Sequence, residues 1–306
     1  MVIPNRLLPG DTVGVIAPAS PPDLKNLQQA IIFLEELGLR VKVGESVDLV
    51  HGYLAGKDTD RLDDIHQMFS DQDIKAVICA GGGYGTARIA GLIDYEVIRK
   101  NPKIFWGYSD ITYLHTAIRQ ETGLVTFHGP MLSSDIGKES CHALSKQSFL
   151  QLFYPKDLHY SSRLSELAVI SEGVASGELV GGNLSLLISS LGTPFELKTK
   201  GKLLLLEDID EAPYRIDSML NQLKAAGKLE EAAGVVVGDF HNAVPANNKP
   251  SLELSEVLDH YLKGVNKPVI KGFKIGHCQP HFAVPLGVHA KLSTTAMALT
   301  IQSGVN

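Results

Sequence analysis

In the first half of the chain, short apolar runs alternate with stretches whose apolar residues recur at helical spacing. Val13-Gly14-Val15-Ile16-Ala17 has no polar alternation, the pattern of a parallel strand buried on both faces. Pro18-Ala19-Ser20-Pro21-Pro22 breaks it. Asp23 then stands as the cap of a helix whose Leu24, Leu27, Ile31 and Leu34 share one face, and Gly38 ends it. Leu39 to Val43 alternates as a second strand. A polar helix around Arg61 to Phe69 leads to the strand Ala76 to Cys79, the glycine cluster Gly81-Gly82-Gly83-Tyr84-Gly85, and a helix from Thr86 to Ile93. Ile104 to Gly107 is a further strand, and Asp110 to Arg119 the helix that leaves it. Strand, turn and helix in repetition predict a parallel sheet covered by helices, which gathers ligands at the C-terminal ends of its strands.

Periodicity weakens and polar residues increase over 132–172, which predicts a connector with one short helix between domains at 1–131 and 173–306. In the second domain Lys202 to Leu206 and Gly234 to Val237 have the composition of buried strands. A helix from Tyr214 carries Ile216, Met219, Leu220 and Leu223 on one side. His289 to Leu292 and Met297 to Ile301 are expected as two edge strands joined by a turn. The predicted class is α/β in two domains, and a length of 306 residues agrees, since single cores seldom grow further.

Composition narrows the function classes. With 44% hydrophobic and 20% charged residues, the chain can bury its cores without staples. The formal charge of −6 is spread out and no Lys/Arg block occurs, which excludes nucleic acid as an expected partner. No secretory start and no apolar run of membrane-spanning length is present, so no membrane association is expected. Cys79, Cys141 and Cys278 are odd in number and far apart, which suits a reducing, cytoplasmic setting.

Four segments carry candidate chemistry. Ser109 follows Gly107 at a strand-to-helix junction, a place where a sharp turn exposes a hydroxyl and helix N–H groups face developing negative charge. This parallels a nucleophile elbow without its second glycine; the alternative is a helix cap by Ser109 or Asp110. The cluster Gly81 to Gly85 is suited to an oxyanion N–H, a phosphate cradle or a plain tight turn. Glu207-Asp208-Ile209-Asp210-Glu211 closes a buried strand, where a carboxylate can orient a histidine; a solvated acidic loop capping the next helix is the rival reading. His277, in Gly276-His277-Cys278-Gln279-Pro280-His281, is a candidate general base, with zinc on His277, Cys278 and His281 or a plain loop histidine as alternatives.

Together these segments resemble the LD-carboxypeptidase family, the murein tetrapeptide carboxypeptidases with the related microcin C self-immunity peptidases. The resemblance spans nearly the whole chain. It is carried in order by Val13 to Ser20, Gly82-Gly83-Tyr84-Gly85, Gly107-Tyr108-Ser109-Asp110-Ile111-Thr112, His128-Gly129-Pro130, Gly181-Gly182-Asn183-Leu184, Leu206 to Tyr214, and Gly276-His277 with Pro285-Leu286-Gly287. It implies an N-terminal flavodoxin-like parallel-sheet domain bearing the nucleophile and a C-terminal α/β domain with some antiparallel edge strands. It also implies a Ser-Glu-His triad on Ser109, Glu207 and His277, with the N–H of Asp110 and of Gly83, or its neighbour Gly82, as oxyanion donors.

The implied substrate is an L,D-linked murein tetrapeptide that loses its terminal D-alanine during cell-wall recycling, with no metal or organic cofactor. A homodimer is implied as well. Gly82, Tyr84, Glu211 and Tyr214 are candidate substrate-binding residues. Gly81 departs from the family, many of whose members have arginine there, which bears on specificity and leaves the triad intact. A peptidyl-nucleotide substrate of the microcin C type, or a non-catalytic ligand-binding protein using the glycine loops as an anion nest, are the competing functions.

Overall fold

The apolar run at Thr12–Ile16 is buried because it forms a central strand, β1, with parallel neighbours on both sides: β2 (Arg40–Val43) and β3 (Ile74–Cys79). β4 (Ile104–Gly107) and β5 (Thr126–His128) continue the parallel sheet, and β12 (Val284–Leu286) pairs antiparallel with β5. The order β2-β1-β3-β4-β5 is the flavodoxin-like one, with its switch point between β1 and β3. This computed structural model describes residues 1–245 and 250–306.

Helices accompany the sheet, most of them near the predicted places. α1 (Leu24–Glu36) starts at Asp23, whose carboxylate accepts the Asn26 N–H at 2.8 Å. It buries Leu27, Ala30 and Leu34, whereas Leu24 in its first turn is exposed. α2 (Asp58–Ser70), α3 (Thr86–Ala90), α4 (Tyr95–Lys100), α5 (Thr112–Thr122) and α6 (Ala143–Gln147) follow. α3 ends at Ala90, short of the expected Ile93, and α4 is not among the expected helices. Trp106 of β4 is fully buried against Phe127 and Phe149 and donates its indole N–H to Pro130 O at 2.8 Å.

The chain divides into two units, Met1–Lys156 with Gln279–Gly287 and Ser303–Asn306, and Asp157–Cys278 with Val288–Gln302. This differs from the expected boundaries at 131 and 172. Residues expected as a connector are structured and shared: α6 and its flanking turns belong to the first unit, and β6 (Leu158–Ser161) and β7 (Ala168–Ser171) to the second. Both strands are four residues long and only partly buried, so they lack the apolar run that marks a strand in sequence. The late return of β12 to the first sheet is a non-local pairing that no local pattern announces.

The second unit is built on an eight-stranded mixed sheet, β6-β14-β13-β8-β9-β10-β11-β7. β8 (Val174–Asn183), β9 (Leu203–Ile209), β10 (Gly234–His241) and β11 (Val269–Lys271) run parallel, while β13 (His289–Ser293) and β14 (Ala298–Ile301) add antiparallel. β13 and β14 pair as predicted, but they are interior strands: β6 and β7 take the edges. α7 (Leu184–Ser190), α8 (Pro213–Ala225), α9 (Lys228–Glu231) and α10 (Leu254–Leu262) lie along this part of the chain. Leu204 and Leu206 of β9 share one core with Val235 and Val237 of β10 and with Ile216, Met219, Leu220 and Leu223 of α8, the face read from sequence.

Gly181, in β8 opposite Leu205, shows how tightly this sheet is drawn together. Its φ is 113°, and an added Cβ would overlap the Leu205 carbonyl. Gly181→Ala is expected to lower the unfolding free energy by roughly 2 kcal/mol or more, read as a fall in urea midpoint at unchanged m-value.

Candidate active site

Three loops leave the C-terminal ends of β1, β3 and β4, which the parallel pairing puts on one edge of the first sheet. After β4 the chain turns through Ser109, whose φ is 61°. A helix cap has extended backbone, and neither the 3-10 turn Ser109–Ile111 nor α5 has a side-chain cap, so the capping reading of Ser109 fails. A non-glycine residue in the left-handed region at a strand-to-helix turn is the conformation of a nucleophile elbow. Behind it, His115 Nε2 lies 2.8 Å from Gly107 O and must donate to it; burial pushes this imidazole down to about 4, so it is neutral.

Asp110 does not cap its own helix either. Its carboxylate accepts the Thr86 N–H at 2.9 Å, and its carbonyl accepts the Thr86 hydroxyl at 2.6 Å, which joins the serine turn to the start of α3. Burial pushes Asp110 up to about 6, against the lowering effect of the Thr86 hydrogen bonds and of Arg61.

The glycine loop packs on the serine. A Cβ on Gly82 would stand 3.1 Å from Ser109 Cβ and 3.3 Å from its Oγ. Ser20, after β1, grips the loop twice: its N–H donates to Gly82 O at 3.1 Å and its Oγ accepts the Tyr84 N–H at 3.1 Å. Since the peptide is planar and trans, fixing Gly82 O also fixes the opposite direction of the Gly83 N–H. Gly83 has φ 106°, and a side chain there would overlap the Ser20 hydroxyl. Gly81 is different: among the described residues an added Cβ would meet Ser133 Oγ alone, at 3.2 Å, so the backbone does not demand glycine there. Tyr84 is half exposed and meets Tyr53 edge-on at 5.6 Å.

In the second unit the acidic run at the end of β9 is solvated only from Asp210 onward. Glu207 and Asp208 are buried at 0% and 3% exposure. Glu207 Oε2 lies 2.8 Å from His277 Nδ1. A carboxylate only accepts, so Nδ1 carries the proton and Nε2 is the basic nitrogen. Gly276 allows this approach: its φ is 121°, and a Cβ would stand 2.6 Å from Glu207 Oε2. Asp208 turns the other way and accepts from Asn183 Nδ2, from Ser185 N–H and hydroxyl, and from the Ile209 N–H, all at 2.8 to 3.0 Å. Burial first, then the charge of Glu207, pushes Asp208 up to about 6.

The remaining residues of this stretch have local partners. Asp210 accepts from Asn242 Nδ2, Glu211 pairs with Arg215, and Tyr214 is 67% exposed on α8, whose cap position is Ala212 rather than an acid. His281, weighed with His277 and Cys278 as a zinc ligand, belongs to the first unit, where it is fully buried against Tyr108 and His128. Among the described residues no three His, Cys, Asp or Glu side chains are grouped to hold a metal ion. Among them too, no helix is long and apolar enough to cross a membrane. Sequence reasoning assigned no role to Ser20, Asp208 or Arg61; their types recur too commonly for the pattern alone to mark them.

The fold is a mixed α/β one in two units, and the family match gives the class, a hydrolase. The chain belongs to the LD-carboxypeptidase family: the model of the family's N-terminal domain matches residues 13–129 and that of its C-terminal domain residues 176–292. It is a serine-type carboxypeptidase. A probable murein peptide carboxypeptidase of Bacillus subtilis (strain 168) is 59% identical over 303 residues, covering 99% of this chain and 95% of that protein. The structure of the muramoyltetrapeptide carboxypeptidase from Oxalobacter formigenes is similar with a TM-score of 0.83 at 29% identity, covering 95% of this chain and 97% of that one. The microcin C7 self-immunity protein MccF of Escherichia coli is 26% identical over 311 residues, covering 91% of this chain and 89% of that protein.

Two outcomes are expected from this geometry. Burial pushes Asp110 up to about 6 in the folded protein, against an ordinary value of 3.8. Stability from this group is therefore complete below about pH 4 and lost as pH rises through 6, by up to about 3 kcal/mol. Asp110→Asn, which keeps an acceptor for Thr86, is expected to exceed the wild type in urea stability at pH 8 and to match it near pH 4. Gly276→Ala is expected to push Glu207 off His277 and lower kcat by about 10²-fold or more, read by steady-state kinetics on folded protein.

Proposed function

We infer that the protein removes the terminal D-alanine from L,D-linked murein tetrapeptides, with Ser109 as nucleophile, His277 as general base and acid, and Glu207 as the carboxylate that orients it. The observation that carries this reading is the buried Glu207 carboxylate at 2.8 Å from His277 Nδ1, which leaves Nε2 to take a proton. The left-handed backbone of Ser109 supports it. The substrate class is supported by the murein peptide carboxypeptidase of Bacillus subtilis at 59% identity.

In this mechanism His277 Nε2 takes the Ser109 hydroxyl proton as Oγ attacks the scissile carbonyl. The N–H groups of Asp110 and Gly83 hold the oxyanion, with Gly82 shaping the wall beside it. His277 then protonates the amine of D-alanine as the C–N bond breaks. Water, deprotonated by the same nitrogen, cleaves the acyl-serine and restores the enzyme. Tyr84, Glu211 and Tyr214 are substrate-binding candidates. The enzyme works as a cytoplasmic homodimer acting on recycled cell-wall peptides; its cysteines are free, as a reducing compartment requires.

Purified wild type and Ser109→Ala are compared on an L,D-tetrapeptide and on an aminoacyl-sulfamoyl adenylate, with released amines measured. D-alanine release by the wild type, reduced about 10³-fold or more in Ser109→Ala and His277→Ala and about 10²-fold or more in Glu207→Gln, is the expected result. Cleavage of the adenylate alone would replace the murein substrate with a peptidyl-nucleotide one, the reading favoured by the similarity to MccF. Undiminished release by Ser109→Ala would overturn the assignment of the nucleophile. Sedimentation analysis tests the dimer.

A further inference from the structure

Arg61 lies on α2 with its side chain completely buried, a costly place for a cation. Its partners explain the position. Nη1 donates to Pro18 O at 2.8 Å, in the loop after β1, and to Gly85 O at 3.0 Å, at the end of the glycine loop. Nη2 donates to Asp58, which also receives Arg88 Nε and Nη2 from α3 at 3.1 and 2.9 Å. Gly85 is glycine because the guanidinium fills the space a side chain needs: its φ is 133°, and a Cβ would stand 2.5 Å from Nη1.

The Gly85–Thr86 peptide is thus clamped from both ends. Arg61 draws on its oxygen, and Asp110, the residue after the serine, accepts its N–H. A cation, a peptide dipole and a carboxylate stand head to tail, each polarising the next. The same guanidinium holds Pro18 O, two residues before the Ser20 that fixes Gly82 O and the Tyr84 N–H. One side chain therefore anchors both loops that set the direction of the Gly83 N–H, and braces the turn that carries the Asp110 N–H.

We propose that Arg61 is the positioning residue of the oxyanion donors, acting through the Gly85–Thr86 peptide and the Pro18 carbonyl. It rests on the reading of Ser109 as nucleophile. Truncating it leaves Asp58 paired with Arg88, so the effect is on loop geometry more than on a stranded carboxylate.

The test uses the full chain and a substrate-independent readout, the rate at which a fluorophosphonate labels Ser109, followed by intact mass. In that step the Ser109 Oγ–P bond forms, fluoride leaves with the P–F electron pair, and the serine proton passes to the base. Arg61→Lys keeps the charge but cannot span both carbonyls. Its labelling rate and the kcat for D-alanine release are expected to fall together by about tenfold or more, with KM changed less than threefold. Asp58→Asn, which loosens the guanidinium without removing it, is expected to fall by a smaller factor and serves if Arg61→Lys does not fold. Labelling of either folded variant at the wild-type rate overturns the proposal. Absence of labelling in the wild type overturns the nucleophile reading and this inference with it. Normal labelling of the wild type without D-alanine release overturns only the substrate.

Discussion

A serine held at φ 61° is the constraint around which the first unit is arranged. Such a backbone costs of order 1 to 3 kcal/mol and persists only when its surroundings over-determine it. Here they do. Gly107 O, two residues before Ser109, is held by His115 and by the Gly129 N–H; Tyr108 O takes the Ile111 N–H; Asp110 is tied on both its carboxylate and its carbonyl to Thr86. The strain cannot relax without breaking bonds that also fix the glycine loop. The geometry of the hydroxyl and the geometry of the loop beside it are therefore one problem, solved by one set of contacts.

The second unit shows how burial assigns roles to neighbouring carboxylates. Asp208 meets four donors and is a structural acceptor that orders the start of α7. Glu207, one residue earlier and on the other face of the strand, has His277 on one oxygen, while its Oε1 meets no donor among the described residues. A buried carboxylate whose chief partner is an imidazole stabilises that ring when it is charged, which agrees with the role proposed for His277. Gly276 carries no side chain because Glu207 is so close: an added Cβ would stand 2.6 Å from its Oε2, whereas at Gly238 a Cβ would meet the Ile275 carbonyl first, at 2.3 Å.

Much of this was legible in the sequence where the cause is local. Asp23 caps α1, Ile216 to Leu223 form the buried face of α8, and the runs at Val13, Ala76, Ile104 and Leu203 are strands, because caps and periodicity act over a turn or two. The ordered motifs point to Ser109, Glu207 and His277; at these positions the structure has a left-handed turn at Ser109 and a hydrogen bond between Glu207 and His277. What failed was non-local. β6 and β7 are short and half-exposed, and β12 belongs to a sheet begun far earlier in the chain. Leu24 has the right spacing for the core face, yet it lies in the first turn of α1, where it stays exposed. The acidic run looked solvated because burial of Glu207 and Asp208 depends on β8 and β10, which flank β9.

Arg61 was invisible for the same reason, and its case shows what buried charge does in this fold. A buried ion pair is seldom a source of net stability, since desolvation offsets the attraction between the charges. Arg61 and Asp110 are not even direct partners; a peptide group stands between them. An apolar pair of similar volume would fill the space but leave Pro18 O, Gly85 O and the Thr86 N–H without partners, each a buried polar group at a cost of about 1 to 3 kcal/mol. The charges are thus explained by the backbone they hold. Loops that turn their N–H groups one way must turn their carbonyls the other, and a buried cation is the donor that those carbonyls find here. The glycine loop, the strained serine and the hidden arginine are parts of a single electrostatic arrangement.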